Sequence, residues 1–157
     1  MNMQSIHDTG PNMDCSDSRY IKLISVVDRI IREVKLGRLE TVDQELQGLL
    51  WNSIELMEAE NRYMSEMYYQ GYLSHSYDHL RLCRKIGVLS FKWRRSLCSV
   101  DELLNLRSGL HAHFSRYDRA LEHYLVTGEV PDAFRPHSPK VGDGLSAGYL
   151  VMLSRKQ

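Results

Sequence analysis

Apolar residues repeat at intervals of three and four along four stretches of the chain, which is the spacing of one face of an α-helix. The first stretch carries this repeat through Tyr20, Leu23, Ile24, Val27, Ile30, Ile31 and Val34. Asp17 or Ser18 is a suitable N-cap before it, and Gly37 is a suitable stop after it. We therefore predict a first helix between these two signals.

The second and third helices are predicted in the same way. The second begins at Thr41, and Gln44 three residues later completes the pattern of a capping box. Its apolar seam runs through Leu46, Leu49, Leu50, Met57, Met64 and Met67, and residues 69–71 break it. The third helix is predicted from near Tyr72 or Ser74 to about Leu97, with Leu82, Ile86 and Leu89 on its inner face.

A fourth helix is predicted from Ser99, which forms a second capping box with Glu102, to a stop at Thr127-Gly128. Four long amphipathic helices joined by short loops favour an all-α, up-down-up-down four-helix bundle. We place this bundle at residues 17–128, after a flexible N-terminal segment at 1–16. Residues 129–157 are rich in Pro and Gly and are predicted to form an irregular C-terminal tail that packs on the bundle or on a second subunit.

Composition adds limits on location and partners. With 157 residues, 43% apolar and 25% charged, the chain has the composition of a soluble globular protein. The 20 basic and 20 acidic residues balance, which argues against nucleic acid or an anionic membrane as the main partner. Cys15, Cys83 and Cys98 lack metal-ligand spacing and are interpreted as reduced thiols. Without a signal peptide or a long apolar run, a cytoplasmic protein is expected.

Five polar residues fall on seams that should face the core. His75 and His79 are four apart on the third helix, Glu60 lies on the seam of the second, and His113 and Asp118 lie on the fourth. Because a buried carboxylate without a partner costs several kcal/mol, and no Lys or Arg lies on these seams, a counter-ion is needed. Three imidazoles and two carboxylates indicate a metal cation, iron above all.

Other interpretations are weaker. Each of the five residues alone is explained by ordinary core hydrogen bonding, but their joint placement favours a site. His7, His111, His123 and His137 lack such placement. A ferritin-like di-iron site requires Glu-x-x-His, and no carboxylate stands three residues before any His. The chain also has no nucleophile in a recognisable turn and no Gly-rich phosphate loop, so we do not expect an enzyme acting on an organic substrate.

At these residues the chain resembles the hemerythrin family of bacterial type, over about residues 17–126. Glu60 with Met64 and Tyr69, the run His75-Ser-Tyr-Asp-His79, and Leu110-His-Ala-His113-Phe114 followed by Asp118 and Leu121 are similar to the family's motifs. The chain departs from the family at four positions. Tyr20 and Leu56 stand where the family has the two His of its second iron, Gln70 replaces a Pro, and Gly109 replaces a Trp of the oxygen pocket.

The resemblance implies that His75, His79 and His113 are terminal iron ligands and that Glu60 and Asp118 are bridging or capping carboxylates. Three outcomes stay open: an altered di-iron centre with Tyr20 as ligand or nearby hydrogen-bond donor, a single iron with a position open to O2, NO or peroxide, or a lost site. Our first hypothesis is a non-heme iron protein, mononuclear or dinuclear, that binds or senses O2 or a related oxidant. The alternative is a metal-poor helical adaptor acting through the tail and the basic residues 92–95, with a homodimer possible.

Overall fold

Four helical arms form the molecule, and short loops connect each arm to its antiparallel neighbour. The computed structural model describes residues 16–134, which form α1 (Ser16–Lys35), α2 (Val42–Glu66), α3 (Tyr72–Trp93), α4 (Val100–His113), a π-helical segment (Phe114–Asp118), α5 (Arg119–Thr127) and a 3-10 turn (Asp132–Phe134). Helix α1 packs on α2 and α4, and α3 packs on the same two helices. The predicted all-α, up-down-up-down four-helix bundle is therefore confirmed, with α4, the π segment and α5 as its fourth arm.

Two apolar clusters fill the bundle. The larger one joins α1 to α4 through fully buried side chains that include Val27, Ile30, Leu46, Ile86 and Leu106. The smaller one closes the other end of the bundle around Met64, Tyr69, Leu121 and Val130. The five polar residues predicted to face the core lie on α2, α3 and the fourth arm. On each of these arms they lie, in sequence, between the residues of one cluster and those of the other. A polar layer is thus enclosed between two apolar ones.

The helix ends follow the sequence signals only in part. Ser99 is extended (φ −105°, ψ 159°) and forms the predicted capping box, because its hydroxyl accepts from the Glu102 amide while the Glu102 carboxylate accepts from the Ser99 amide. The capping box predicted at Thr41 is wrong. Thr41 has helical backbone angles (φ −99°, ψ −10°), and its side chain makes no capping hydrogen bond. Gly128 ends α5 in the left-handed region, with φ 73°.

Other boundaries also differ from the expectation. The fourth helix is not continuous, because the π segment interrupts it at Phe114–Asp118. The third helix ends at Trp93, four residues early, and Ser96 then takes a positive φ of 56°. Residues 1–15 and most of the predicted tail, 135–157, lie outside the described residues. Within 16–134, no helix has the length and apolar character needed to cross a bilayer, and Cys83 and Cys98 are free thiols.

Candidate metal centre

The structure brings the five predicted polar residues into one cluster, which we call the polar cluster: Glu60, His75, His79, His113 and Asp118. One nitrogen or oxygen from each lies within 4.8 Å of all the others. The three imidazoles are almost fully buried, while the side chains of Glu60 and Asp118 are 19% and 12% exposed. Helices α2 and α3 supply three of the residues, and the fourth arm supplies His113 and Asp118.

The spacing of the donor atoms has the scale of a coordination shell. The Nε2 atoms of His75 and His113 are 3.2 Å apart, and each lies 3.0 Å from Oδ1 of Asp118. His79 Nε2 is 3.1 Å from Glu60 Oε2, and His75 Nε2 is 3.6 Å from the same oxygen. Ligand atoms at roughly 2.1 Å from a common ion and at right angles to each other lie about 3.0 Å apart. The close pairs therefore fit the shell of one small cation. The widest separation, up to 4.8 Å, would have to contract to about 4.2 Å for all five atoms to bind the same ion.

Several of these atoms are close to one another without being hydrogen-bonded. His79 Nε2 and Asp118 Oδ1 are buried and find no hydrogen-bond partner within residues 16–134, although each has a polar atom of the cluster nearby. An unsatisfied buried polar atom costs about 1–3 kcal/mol, more for a charged group. A shared cation would satisfy both atoms at once, and in this respect the residues present fit a metal ion.

The π-helical segment decides the position of Asp118. In a regular α-helix each residue turns by about 100°, so a side chain five residues on points about 140° away from the first. The wider turn at Phe114–Asp118 accommodates one extra residue and returns Asp118 to the face of His113. The sequence predicted both residues but not this segment, because the spacing of Leu110, Phe114 and Leu121, four and then seven residues, is also that of an uninterrupted α-helix.

Two further residues, neither of them predicted from the sequence, orient two of the three imidazoles. Nδ1 of His113 lies 2.8 Å from Oδ2 of the buried Asp78, whose other oxygen accepts from Arg81 Nε at 2.7 Å. Nδ1 of His79 lies 2.8 Å from Oδ1 of Asn61. Since a carboxylate or amide oxygen accepts a hydrogen bond, each Nδ1 carries a proton and donates it, and each Nε2 faces the cluster.

Charge is unevenly distributed over the cluster. Burial lowers the pKa of His113, but the adjacent carboxylates of Asp118 and Asp78 outweigh this and raise it to about 9. Burial raises the pKa of Asp78, but His113 and Arg81 outweigh this and lower it to about 2. Burial also raises the pKa of Asp118, but His113 and His75 hold it below its usual range. Burial lowers the pKa of His79. In the metal-free protein, a protonated His113 thus lies between an ionised Asp118 and an ionised Asp78. A bound cation would take the place of the proton on Nε2 of His113 beside Asp118.

Tyr20 and Leu56 lie beside the cluster without joining it. The Tyr20 ring stacks on Phe114 with centroids 4.2 Å apart and meets the His111 ring edge-on at 5.5 Å. Its hydroxyl is buried with no hydrogen bond to any described residue, and burial raises its pKa to about 12. Leu56 packs on the larger apolar cluster and lines a groove of about 500 Å³ between α1 and α2. The role of Tyr20 as ligand or hydrogen-bond donor stays a prediction.

The remaining candidates of the sequence lie elsewhere. His111 and His123 are exposed, and His7 and His137 fall outside the described residues. In the basic run at 92–95, Lys92 pairs with Glu102 and Arg94 pairs with Asp43. These two charges are therefore matched by the protein's own carboxylates.

Comparison with known proteins finds no match: no family model, no curated protein sequence and no solved structure matches the chain. The site is therefore interpreted from its own residues.

Proposed function

We propose that this protein is a hemerythrin-like non-heme iron protein that binds one iron ion in the polar cluster and binds or senses O2 or a related small oxidant such as NO or peroxide. The observation that carries the proposal is the convergence of five donor atoms within 4.8 Å of one another. The resemblance of the sequence motifs to the hemerythrin family supports the same assignment.

The donor set favours iron among the common cations. Imidazole suits zinc, copper, nickel and iron, whereas carboxylate suits harder ions. A mixed set of three imidazoles and two carboxylates, without thiolate, suits an ion between these classes. Structural zinc is usually held by four ligands that include cysteine, and Cys83 is instead placed 3.5 Å from Met57 Sδ in the apolar core.

A single ion is favoured over a pair. All five donors surround one point, whereas metals in two-metal sites lie about 3.5–4 Å apart and need separate terminal ligands. The positions that would supply those ligands by resemblance are Tyr20 and Leu56. Leu56 has no donor atom, and the Tyr20 phenol is kept protonated by burial, which raises its pKa.

The enclosure of the cluster limits what else enters. His75, His79 and His113 are between 1% and 4% exposed, so only a small ligand reaches them without opening the bundle. When bound, iron would supply affinity for a diatomic or peroxide ligand and the capacity to change oxidation state. The protein's own contribution is to orient His113 and His79 through Asp78 and Asn61 and to exclude bulk water. We expect this role in the cytoplasm, where free thiols such as Cys83 persist.

Anaerobic loading with Fe(II) tests the proposal. We expect about one iron per chain, and addition of O2 or NO should change the optical and EPR spectra. His79→Ala should lose the iron, whereas His123→Ala, which removes an exposed histidine of α5, should keep it. Because most nitrogen and oxygen sites bind zinc more tightly than Fe(II) in competition, the decisive comparison is the metal content of protein expressed in iron-supplied cells. Zinc or manganese in place of iron there would refute the iron assignment, and two irons per chain would refute the single site.

Absence of any bound metal would leave the alternative function, a metal-poor helical adaptor that acts through protein contacts. One observation favours a protein contact independently of the metal. Helix α3 exposes a continuous row of apolar side chains, which the next subsection describes.

A further inference from the structure

The outer face of α3 carries an apolar row that no described part of the chain covers. We call it the α3 row: Leu73, Tyr77, Leu80, Val88 and Phe91, which are between 46% and 77% exposed. With Arg84 between Leu80 and Val88, the spacing is four, three, four, four and three residues, which places all six on one stripe of the helix. Helix α3 therefore has two apolar faces over most of its length, one packed in the core and one exposed on the outside.

The flanks of the row are basic. Helix α3 contains four basic residues. Arg81 and Lys92 pair with Asp78 and Glu102, whereas Arg84 and Lys85 have no carboxylate partner among residues 16–134. Arg95, just beyond the helix, lies over the Phe91 ring at 4.1 Å. Lys85 donates to the Asn105 carbonyl, a neutral acceptor that leaves its charge unmatched. Burial, and to a smaller extent the nearby Arg81, lower the pKa of Lys85.

A second copy of this chain is a poor occupant for this surface. A two-fold axis through the middle of the row would pair Leu73 with Phe91 and Leu80 with Arg84. The contact would then bury an arginine against leucine twice and bring two basic helices together. The chain's own C-terminal residues are no better matched, since 135–157 contain four Lys or Arg and one Asp.

We propose that the α3 row binds an acidic amphipathic helix of a partner protein. The apolar residues of that helix would cover the row, and its Asp and Glu side chains would face Arg84, Lys85 and Arg95. Helix α3 has 22 residues and a length of about 33 Å, so a partner helix of about 20 residues covers the row in full. This surface lies on the opposite side of α3 from the polar cluster, so the contact does not depend on the proposed metal function.

The test uses the full-length chain and two synthetic helical peptides of about 20 residues. Both have Leu at the same positions for one apolar face, and their flanking positions are all Glu in one peptide and all Lys in the other. Fluorescence anisotropy should show that the acidic peptide binds about tenfold or more tightly than the basic one. This preference should fall as salt is raised, because salt screens exposed charges.

Two variants and a control locate the contact. Leu80→Glu and Arg84→Glu should each weaken binding of the acidic peptide by about tenfold or more, since each puts a carboxylate against an acidic helix. Val126→Glu makes the same charge change as Leu80→Glu at a residue of α5 that is 86% exposed, and it should bind like the wild type. Circular dichroism would verify that all three variants keep the helical fold.

Three results would overturn the proposal. The first is equal binding of the two peptides, or no binding of the acidic one. The second is a concentration-dependent dimer in sedimentation that Leu80→Glu abolishes, which would make a second copy the occupant. The third is binding to vesicles that contain anionic phospholipid, lost in Leu80→Glu while the acidic peptide fails to bind, which would make the row a membrane surface.

Discussion

Replacing Asp78 by Asn removes a charge next to the polar cluster without removing any of its five donors. Asp78 is 6% exposed and lies 2.8 Å from Nδ1 of His113. The amide of the variant keeps one acceptor oxygen, but its NH2 group is a donor, and Arg81 is a donor too. The new side chain would therefore satisfy either His113 or Arg81 well, but not both. We expect the His113 imidazole to lose its fixed orientation.

The size of the effect follows from these contacts. Loss of a group that orients a metal-bound imidazole typically lowers metal affinity by about 10- to 100-fold, which is about 1.4–2.7 kcal/mol of binding free energy. The metal-free protein should also lose about 1 kcal/mol of unfolding free energy. That figure is the difference between a charge-assisted hydrogen bond, worth about 1.5–3 kcal/mol, and a neutral one, worth about 1 kcal/mol.

Competition of the protein with a chelator for Fe(II) would measure the affinity, and denaturant unfolding of the metal-free protein would measure the stability. Asp43→Asn is the matched control, because Asp43 also accepts from an arginine, Arg94, at 2.8 Å. Asp43 lies in the first turn of α2 and makes no contact with the polar cluster. We expect the control to change iron affinity by less than about twofold.

Two results would refute this reasoning. If Asp78→Asn binds iron as tightly as the wild type, Asp78 does not orient His113. If Asp43→Asn loses as much affinity as Asp78→Asn, the effect comes from net charge and not from the contact.

Three further predictions concern stability. Gly71→Ala should destabilise the protein by about 1–3 kcal/mol, because a Cβ there would lie 2.6 Å from ring atoms of Tyr69. Gly48→Ala should stabilise it by about 0.5–1 kcal/mol, because a Cβ there has no atom within 4 Å. Thermal unfolding measures both. Burial raises the Tyr69 pKa to about 12, so the free energy of unfolding should fall as the pH rises from about 10 to about 12. The fall should be less steep in Tyr69→Phe than in the wild type. It should be unchanged in Tyr68→Phe, which replaces a tyrosine that is 89% exposed. Ser99→Ala should cost about 1 kcal/mol in denaturant unfolding; no loss would mean that the capping box is not formed in solution.

The fold was predictable because its signals are local. The seam from Tyr20 to Val34 repeats without interruption, and the Ser99–Glu102 pair is specific for a helix start. The Thr41 signal had the same pattern but a different outcome. A capping box needs an extended backbone at the cap, and the preceding turn holds Thr41 in a helical conformation.

The candidate site was only half predictable, for a physical reason. Glu60, His75 and His79 lie on apolar seams, where a polar residue is conspicuous in the sequence. Asp78 and Asn61 lie beside the seams, where polar residues are ordinary. Their importance comes from partners on another helix, which the sequence does not pair. The π segment was also not predictable, because no residue type marks its one extra residue in the sequence.

The polar cluster takes its donors from α2, α3 and the fourth arm, but none from α1. A bound cation would close a loop from residue 60 to residue 118, and it would restrict the unfolded chain over the end of α2, all of α3 and α4, and the π segment. Helix α1 lies outside this loop and is held by apolar contacts and surface ion pairs such as Arg29–Glu45 and Arg107–Asp28. In amide hydrogen exchange, metal should therefore slow α3, α4 and the C-terminal end of α2 far more than α1. The first helix would then open independently while the other three stay closed.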